Sequence, residues 1–424
     1  MIPTLSALPP ELPADPAVWF RALAGRPGVF WLDSGPSAGH HARYHHLGSD
    51  PIESVTGTHR TLLELPADRH DLPCVPRWLV VLPYDAAVVP QRALAAVLDA
   101  LPEELGSSAG FRCRYDAVIS FDLVERRAFI SADSPEARDR LLERLTASAA
   151  PLGSAYLHSL TSEPTEALRG QIARVKAAIA RGDVYQVNLS RRFEASLEGH
   201  PSELYLALRQ RRPAPMGAYV QLPEAAILSN SPEVLLTTEP SASGATVSTW
   251  PLKGTRPAHG DAAELLASEK DRAEHVMIVD LERNDLGRVA VPGSVSVPRF
   301  LEVVRHPTVM HLESEVRCEC QASLGEVLDA VFPGGSITGA PKLAAMAEIA
   351  ASEGRRRGVY CGAIGIIDAD ARRSRWSIPI RTGVAAGGRF VFRSGGGIVS
   401  DSDADSELLE METKARAFLE LLAH

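Results

Sequence analysis

Short apolar runs, broken by proline and glycine, divide this chain into strands and helices. FWLDSG, beginning at Phe30, and the run Leu79 to Pro83 (LVVLP) are compact stretches with β-branched or aromatic members, which predicts strands. Leu94, Val97, Leu98 and Leu101 recur three or four residues apart, the period of a helix, and Pro102 predicts its end. Thr246, Val247, Thr249 and Trp250 predict another strand, stopped by Pro251 and Gly254. Leu265, Leu266, Ala273, Val276, Met277 and Leu281 predict a helix with a buried stripe. Toward the C-terminus, Arg389 to Phe392 reads as a strand, Gly395, Gly396 and Gly397 as a turn, and the acidic segment running into Leu408 as a helix. Pro, Gly, Ser and Thr mix without period from Ala149 to Pro164, marking a connection between an N-terminal portion, 1–150, and a larger portion, 165–424.

At 424 residues and 45% hydrophobic content the chain can bury a large core, in two lobes or one large domain. A net charge of -9 argues against nucleic-acid or anionic-membrane surfaces, while a small anionic substrate needs only local positive groups. Cys74, Cys113, Cys318, Cys320 and Cys361 are odd in number and scattered, so no disulfide framework is expected and a reducing compartment is. Cys318 and Cys320 lack the second pair that a zinc site needs and read as strand residues. The opening residues show no basic segment followed by an apolar run, and no stretch of about eighteen apolar residues occurs, so a cytoplasmic protein is expected.

Several polar residues stand where chemistry or packing could explain them. Lys253 sits at a strand mouth, either as a desolvated amine able to attack carbon or as a solvated strand-end lysine. Glu407, Glu410 and Lys414 are three and four apart, so one helix face carries two carboxylates and an ammonium, as metal and anion ligands or as an ordinary salt bridge. Glu274 flanks the predicted stripe, and a hard cation such as Mg2+ takes one or two such carboxylates. Arg381 lies in an apolar run, where an unpaired guanidinium is costly, so it must face a partner or water. Glu233 follows a strand, and His311 stands among Val309, Met310 and Leu312; each has a structural reading beside a functional one. Gly334 to Gly339, before Pro341 in a first helical turn, and Gly395 to Gly397 could offer N–H groups to a carboxylate. Neither has the form of a nucleotide loop or dinucleotide fingerprint, so ATP and NAD are not expected. Asp280, Glu282, Arg283, Asn284 and Asp285 read as capping and packing groups at a helix end.

The segments QVNLSRRF, SNSPEVLL, PLKGTRP, EKDRAEHVMIVDLERNDLGRV, PTVMHLES, PGGSITGAPK, YCGAIG and SGGGIVSDSDADSE, in that order across residues 165–424, resemble the chorismate-utilising enzymes. LDSG near Asp33 is a weaker match. The resemblance implies an α+β fold, a two-layer, antiparallel-rich β sandwich with outer helices. It implies Mg2+ held by Glu274 and Glu410, with Glu407 assisting through water, and Glu233 as the acid that protonates the departing 4-hydroxyl. His311 matches an active-site histidine. Thr255, Tyr360, Arg381, Gly395, Gly396, Gly397 and Lys414 match substrate-binding positions, with Arg381 and Tyr360 on the enolpyruvyl carboxylate.

Two positions separate branches of that family. Anthranilate-forming and isochorismate- or salicylate-forming members carry alanine where this chain has Lys253, so the lysine implies amination of chorismate at C4 through a covalent intermediate. Gln186 stands where water-adding relatives carry a lysine base, which implies that water is not activated there. Met411 departs from the family's usual threonine and bears on how Glu410 is oriented. None of the five cysteines lies in a Gly-x-Cys-x-Gly-His signature, so the resemblance implies that ammonia comes from a separate glutaminase subunit in a heterodimer. The alternatives are an anthranilate-forming enzyme and a non-catalytic chorismate- or tryptophan-binding regulator.

Overall fold

The computed structural model describes the chain except residues 1–2, 10–11, 37–38, 67–69, 71, 73, 88–91, 107–108, 148–151, 306–308 and 423–424. Among the described residues, strands assemble into a 12-stranded and a 10-stranded sheet. The first runs in the order Thr4–Ala7, Arg127–Ala132, Ala117–Asp122, Tyr44–Gly48, Phe30–Asp33, Met216–Gln221, Ala226–Ser231, Thr382–Ala386, Arg389–Ile398, Gln186–Glu198 and Gly339–Ala340, with Tyr156–Ser162 also on Gln186–Glu198. The second runs Leu252–Pro257, Val309–Cys320, Gly244–Thr249, Val234–Ser241, Ser374–Ser377, Ala363–Asp368, Pro76–Leu82, Gly110–Arg114 and Glu53–Gly57, with Ser296–Arg305 also on Val309–Cys320. Strands from the N-terminal portion enter both sheets: Phe30–Asp33 pairs with Met216–Gln221, and Pro76–Leu82 with Ala363–Asp368, both antiparallel.

Pro76–Leu82 shows why the two sheets stack. Every residue in it is buried, and successive side chains point to opposite faces. Leu79 and Val81 join Phe30, Val118, Val220, Ile227, Ile364 and Ile366 in a cluster drawn from both sheets. Trp78, Val80 and Leu82 pack instead with Leu328, Val331 and Met346 from the helices Leu324–Val331 and Lys342–Glu353. On the outer face of the first sheet, Trp19, Phe20, Leu141, Leu204 and Phe418 bring in the helices Pro16–Leu23, Pro135–Thr146, Pro201–Arg211 and Ala404–Leu419. The result is the α+β sandwich with outer helices that the resemblance implies.

Three local expectations change. The helix over Arg92–Ala100 buries Leu94 and Leu98 but leaves Val97 exposed. Of the stripe through Leu265, Leu266, Ala273, Val276, Met277 and Leu281, Leu265 is buried as expected, but Leu266, Ala273 and Val276 are exposed, and the second helix buries His275, Ile278, Val279, Glu282, Asp285 and Leu286 instead. Ser268 breaks the run into the helices Ala262–Ala267 and Glu269–Gly287, its hydroxyl capping the second by accepting from Asp271 N, so the helical phase restarts there. Gly395, Gly396 and Gly397 are strand residues, paired with Ser190, Leu189 and Asn188, and the chain turns only after Ile398. Of the connection expected over Ala149–Pro164, residues 148–151 lie outside the described residues, and Tyr156–Ser162 is a strand on Gln186–Glu198.

A buried ionic network fixes the glycine strand to its neighbours. Glu353 accepts from Ser190 N and Oγ, both at 2.9 Å, and from Arg357 Nη2 at 2.7 Å, and it lies 3.4 Å from Arg393 Nη1. Arg357 also donates to Ile337 O and Asn188 O. The group joins the strands Gln186–Glu198 and Arg389–Ile398 to the short helix Gly335–Thr338. Such a network is held by its completeness, since a lone buried charge is costly.

Candidate active site

Glu233 stands where the chain passes from Ala226–Ser231 in one sheet to Val234–Ser241 in the other. Ser231 Oγ accepts from Glu233 N and donates to Ile378 O, and Ile378 N donates to Glu233 O, which fixes the backbone. The buried carboxyl accepts a hydrogen bond from Ser336 Oγ at 2.6 Å. Burial raises its pKa, opposed by Ser336 and then by the positive charges of Lys253, Lys414 and Arg381. A carboxyl so placed holds its proton further toward neutrality than a surface glutamate.

Lys253 lies on Leu252–Pro257, in register with Leu312 on Val309–Cys320. It retains partial solvent access, but protein surrounds the amine closely enough that burial lowers its pKa. Lys414 lowers it further, while Glu274, Glu233 and Glu410 oppose. The same groups act on one another: Glu274 is raised by burial against the pull of Lys253 and Lys270, with Glu410 adding to the rise. The structure therefore brings Lys253, Glu233, Glu274, Glu410 and Lys414 together from both sheets and two helices. The outcome is an amine of reduced basicity beside a protonatable carboxyl.

His311 is buried next to Lys253, its Nδ1 2.8 Å from Gly254 O and 3.2 Å from Thr255 Oγ1. Gly254 has φ +66, and a β-carbon there would sit 2.7 Å from Leu265, so glycine suits this bend on two counts. Arg381, also at positive φ, makes no side-chain hydrogen bond or ion pair with the described residues, and burial lowers its pKa against the charge of Glu233. Its donors suit an anion. Burial pushes the Tyr360 hydroxyl up, keeping it a neutral donor, and a β-carbon at Gly395 would come within 2.8 Å of that oxygen.

Ala404–Leu419 presents Glu407, Glu410 and Lys414 beside the glycine strand, where Lys414 donates to Gly395 O at 3.0 Å. Lys414 also lies 2.6 Å from Glu410, so the i,i+4 salt bridge open from the spacing is formed. Burial raises Glu410, but Lys414, Lys253 and Lys270 together outweigh it and the net shift is downward. Glu407 is buried, accepts from Ser402 Oγ at 2.7 Å, and is raised by burial and by the charge of Glu410. A β-carbon at Gly396 would meet Glu407 Oε2 at 3.1 Å, so the glycine leaves that carboxylate its space. The charge of Glu410 raises both Glu274 and Glu407, so these helices offer carboxylate oxygens, the hard donors that a divalent cation such as Mg2+ takes. Met411 points away into the cluster of Leu168, Ile172, Val175 and Leu408, where it packs the helix.

Two features were not legible from the motifs, the partner of Glu233 and the buried state of Glu282, and the setting of Gln186 is new. Ser336 is the direct partner of Glu233. Glu282, read as a helix-end group, is buried near Glu233, and burial, with the charges of Glu233 and Asp285, pushes it up to about 8 against a hydrogen bond from Thr249. Gln186 is fully buried, and its side-chain amide has no hydrogen-bond partner among the described residues. Gly397 adjoins it, since a β-carbon there would lie 2.6 Å from the Gln186 nitrogen. Asp285 does take the packing role expected of it, in a buried ion pair with Lys342 at 2.6 Å.

The sequence profile of a family described as chorismate binding enzyme matches residues 29–420. Anthranilate synthase component 1 of Streptomyces coelicolor is 38% identical, over 96% of this chain and 86% of that protein. Aminodeoxychorismate synthase component 1 of Bacillus subtilis is 43% identical, over 58% of this chain and 53% of that protein, so the match spans about half its length. Among solved structures, anthranilate synthase component I from Streptococcus pneumoniae superposes with a TM-score of 0.77 at 28% identity, covering 90% of this chain and 93% of that one. The menaquinone-specific isochorismate synthase of Escherichia coli superposes with a TM-score of 0.76 over 99% of this chain and 94% of that one, and at 18% identity it shows the fold alone. No helix among the described residues is long and apolar enough to cross a membrane.

Proposed function

The chain belongs to the family of chorismate-binding enzymes, and on that premise we propose that it converts chorismate and ammonia to 4-amino-4-deoxychorismate and water. The observation that carries this reading is Lys253, an amine of lowered basicity set among Glu274, Glu233 and Glu410. Its Nζ attacks C2 of the ring as the C4–O bond breaks, and Glu233 gives its proton to the departing hydroxyl, which leaves as water. The ring double bonds shift in that step. Ammonia then bonds to C4, the C2–Nζ bond breaks, and the diene is restored with the enolpyruvyl group retained. Dividing one displacement into two is what a covalent nucleophile offers.

Arg381 and Tyr360 hold the enolpyruvyl carboxylate, and Lys414 with the backbone of Gly395 to Gly397 holds the remaining anionic edge. Thr255 and His311 line the ring beside Lys253, a role supported by their contact with each other and with Gly254. Glu274 and Glu410, with Glu407 assisting, would hold Mg2+, which when bound supplies a positive charge for the ring carboxylate. Gln186, whose neutral amide adjoins Gly397, stands in place of a base, which supports ammonia rather than an activated water as the incoming group. Ammonia is delivered by a glutaminase partner subunit, in keeping with the component 1 names of the relatives. The reaction is placed in the cytoplasm.

A second reading has its own support, because the relative matched over 96% of this chain is named anthranilate synthase component 1. On that reading ammonia adds at C2 and pyruvate is lost. Purified chain incubated with chorismate, Mg2+ and an ammonium salt distinguishes the two by mass spectrometry. A product that keeps the enolpyruvyl group and yields 4-aminobenzoate with a lyase is the expected result. Anthranilate with pyruvate would replace the first reading by the second, and binding of chorismate without turnover would leave a regulator.

A further inference from the structure

Away from Lys253, two imidazoles and a carboxylate meet in a setting that the proposed reaction does not use. His40 and His41 lie in a turn closed by Gly39 N to Ala42 O at 3.0 Å and Ala42 N to Gly39 O at 3.1 Å. Glu313 lies on Val309–Cys320. Its Oε2 is 2.8 Å from His41 Nε2, and its Oε1 is 3.8 Å from His40 Nε2. One ligand atom from each residue falls within 4.8 Å of the others. Glu313 and His41 are buried, whereas His40 is about one-third exposed at 35%.

The surroundings hold the rings in place. Trp250 meets both edge-on, with centroids 4.7 Å from His40 and 4.8 Å from His41. Arg375 donates to His41 O, fixing the turn's backbone. Arg299 Nη1 lies 3.0 Å from His40 Nδ1 and 2.7 Å from Nε2. A guanidinium can only donate, so the His40 nitrogen that receives it carries a lone pair, the form in which an imidazole binds a metal. Arg299 is itself about one-third exposed at 32% and is paired with Glu302, so the cation now facing His40 can withdraw toward solvent.

We propose that His40, His41 and Glu313 form a site for one divalent transition ion of the zinc class, with Arg299 occupying its place when the metal is absent. Two nitrogens and one carboxylate oxygen are a donor set that zinc takes with a further position left to water, at metal–ligand distances of about 2.0–2.2 Å, and binding releases to solvent the proton that His41 Nε2 shares with Glu313 Oε2. Imidazole ligands favour such an ion over magnesium, so the site is chemically distinct from the all-carboxylate group of Glu274, Glu407 and Glu410. Binding would clamp the turn bearing His40 and His41 onto the strand that also carries His311, two residues from Glu313.

The full chain, stripped with a chelator and held in excess Mg2+ to occupy the carboxylate group, is titrated with Co2+ as a visible probe and then with Zn2+ in competition. One cobalt per chain, with the absorption of a nitrogen- and oxygen-ligated ion of low coordination number, and a Zn2+-dependent rise in Tm are expected. His40→Ala and Glu313→Gln are expected to weaken binding by roughly 10- to 100-fold or more. Arg299→Ala is expected to strengthen it. Because His40 is partly exposed, its variant should keep the native circular dichroism even if Glu313→Gln does not. Absence of a cobalt spectrum, or equal affinity in folded His40→Ala, would overturn the site. So would a signal lost in Glu410→Gln but kept in His40→Ala, which would put the ion among the carboxylates.

Discussion

Ser336 donates its hydroxyl proton to Glu233 Oε1 at 2.6 Å, joining two segments more than one hundred residues apart. The serine is held in turn, because Asn188 Nδ2 donates to Ser336 O at 3.0 Å and Arg357 donates to the neighbouring Ile337 O at 3.1 Å. Burial raises Glu233 while this bond restrains the rise. Together they set how much of the carboxyl is protonated near neutral pH.

Ser336→Ala should therefore move the Glu233 limb of the pH profile of kcat/KM to higher pH. A hydrogen bond to a charged group contributes about 1.5–3 kcal/mol, which corresponds to roughly one to two pH units. The profile of ammonia-dependent chorismate turnover measures this. An unmoved limb would mean that Ser336 only packs against the acid.

Glu233→Gln should lower kcat by about 10²- to 10⁴-fold, the usual contribution of a positioned acid, and leave a profile with a single limb. Lys253→Ala should cost more, and should leave no covalent adduct when substrate-treated protein is analysed by intact mass. Full C4 amination by a folded Lys253→Ala protein would remove the covalent step from the mechanism.

Glu353→Ala removes the carboxylate paired with buried Arg357, while Arg393 keeps Glu104 at 3.1 Å. Breaking a buried pair in this way costs about 3–5 kcal/mol, read as a lower midpoint in urea unfolding. A loss under about 1 kcal/mol would show that the network relaxes around the gap.

Burial, followed by the charge of Glu233, pushes Glu282 up to about 8. The folded protein then keeps a proton that the unfolded chain releases above its ordinary glutamate pKa of about 4.3. Its contribution to stability is complete below that value and is lost as pH rises toward about 8. Glu282→Gln cannot ionise, so its Tm should exceed that of the native protein at about pH 9 and match it more closely at about pH 5. Equal Tm differences at both pH values would contradict a raised Glu282.

Removing divalent cations should abolish turnover, and added Mg2+ should restore it. Glu274→Gln and Glu410→Gln should each raise the Mg2+ concentration for half-maximal activity by about tenfold or more. Activity indifferent to a chelator would take the metal out of the proposal.

Lys253, Glu233, Glu274, His311, Arg381, Glu407, Glu410 and Lys414 could be picked out along the chain because each lies in a local motif or at helical spacing. Ser336, Glu353 and the buried Glu282 could not, since each acts through a partner or an enclosure built by distant segments. The apolar pattern located Pro76–Leu82 and Arg92–Ala100, yet it chose the wrong face for Glu269–Gly287. That face packs partly through His275, Glu282 and Asp285, which hydrophobic periodicity passes over. It also took three glycines for a turn, although without β-carbons they fit into a strand against Leu189 O, Glu407 and Gln186.

The sequence by itself determined the family, the alternation that makes strands and helices, and which polar residues could carry chemistry, because period and motif are local properties of the chain. Only the tertiary structure decided their protonation and company. Burial, which lowers Lys253 and raises Glu233, and the neighbouring charges that mostly oppose both shifts arise once two sheets and the helices around them close over the same place.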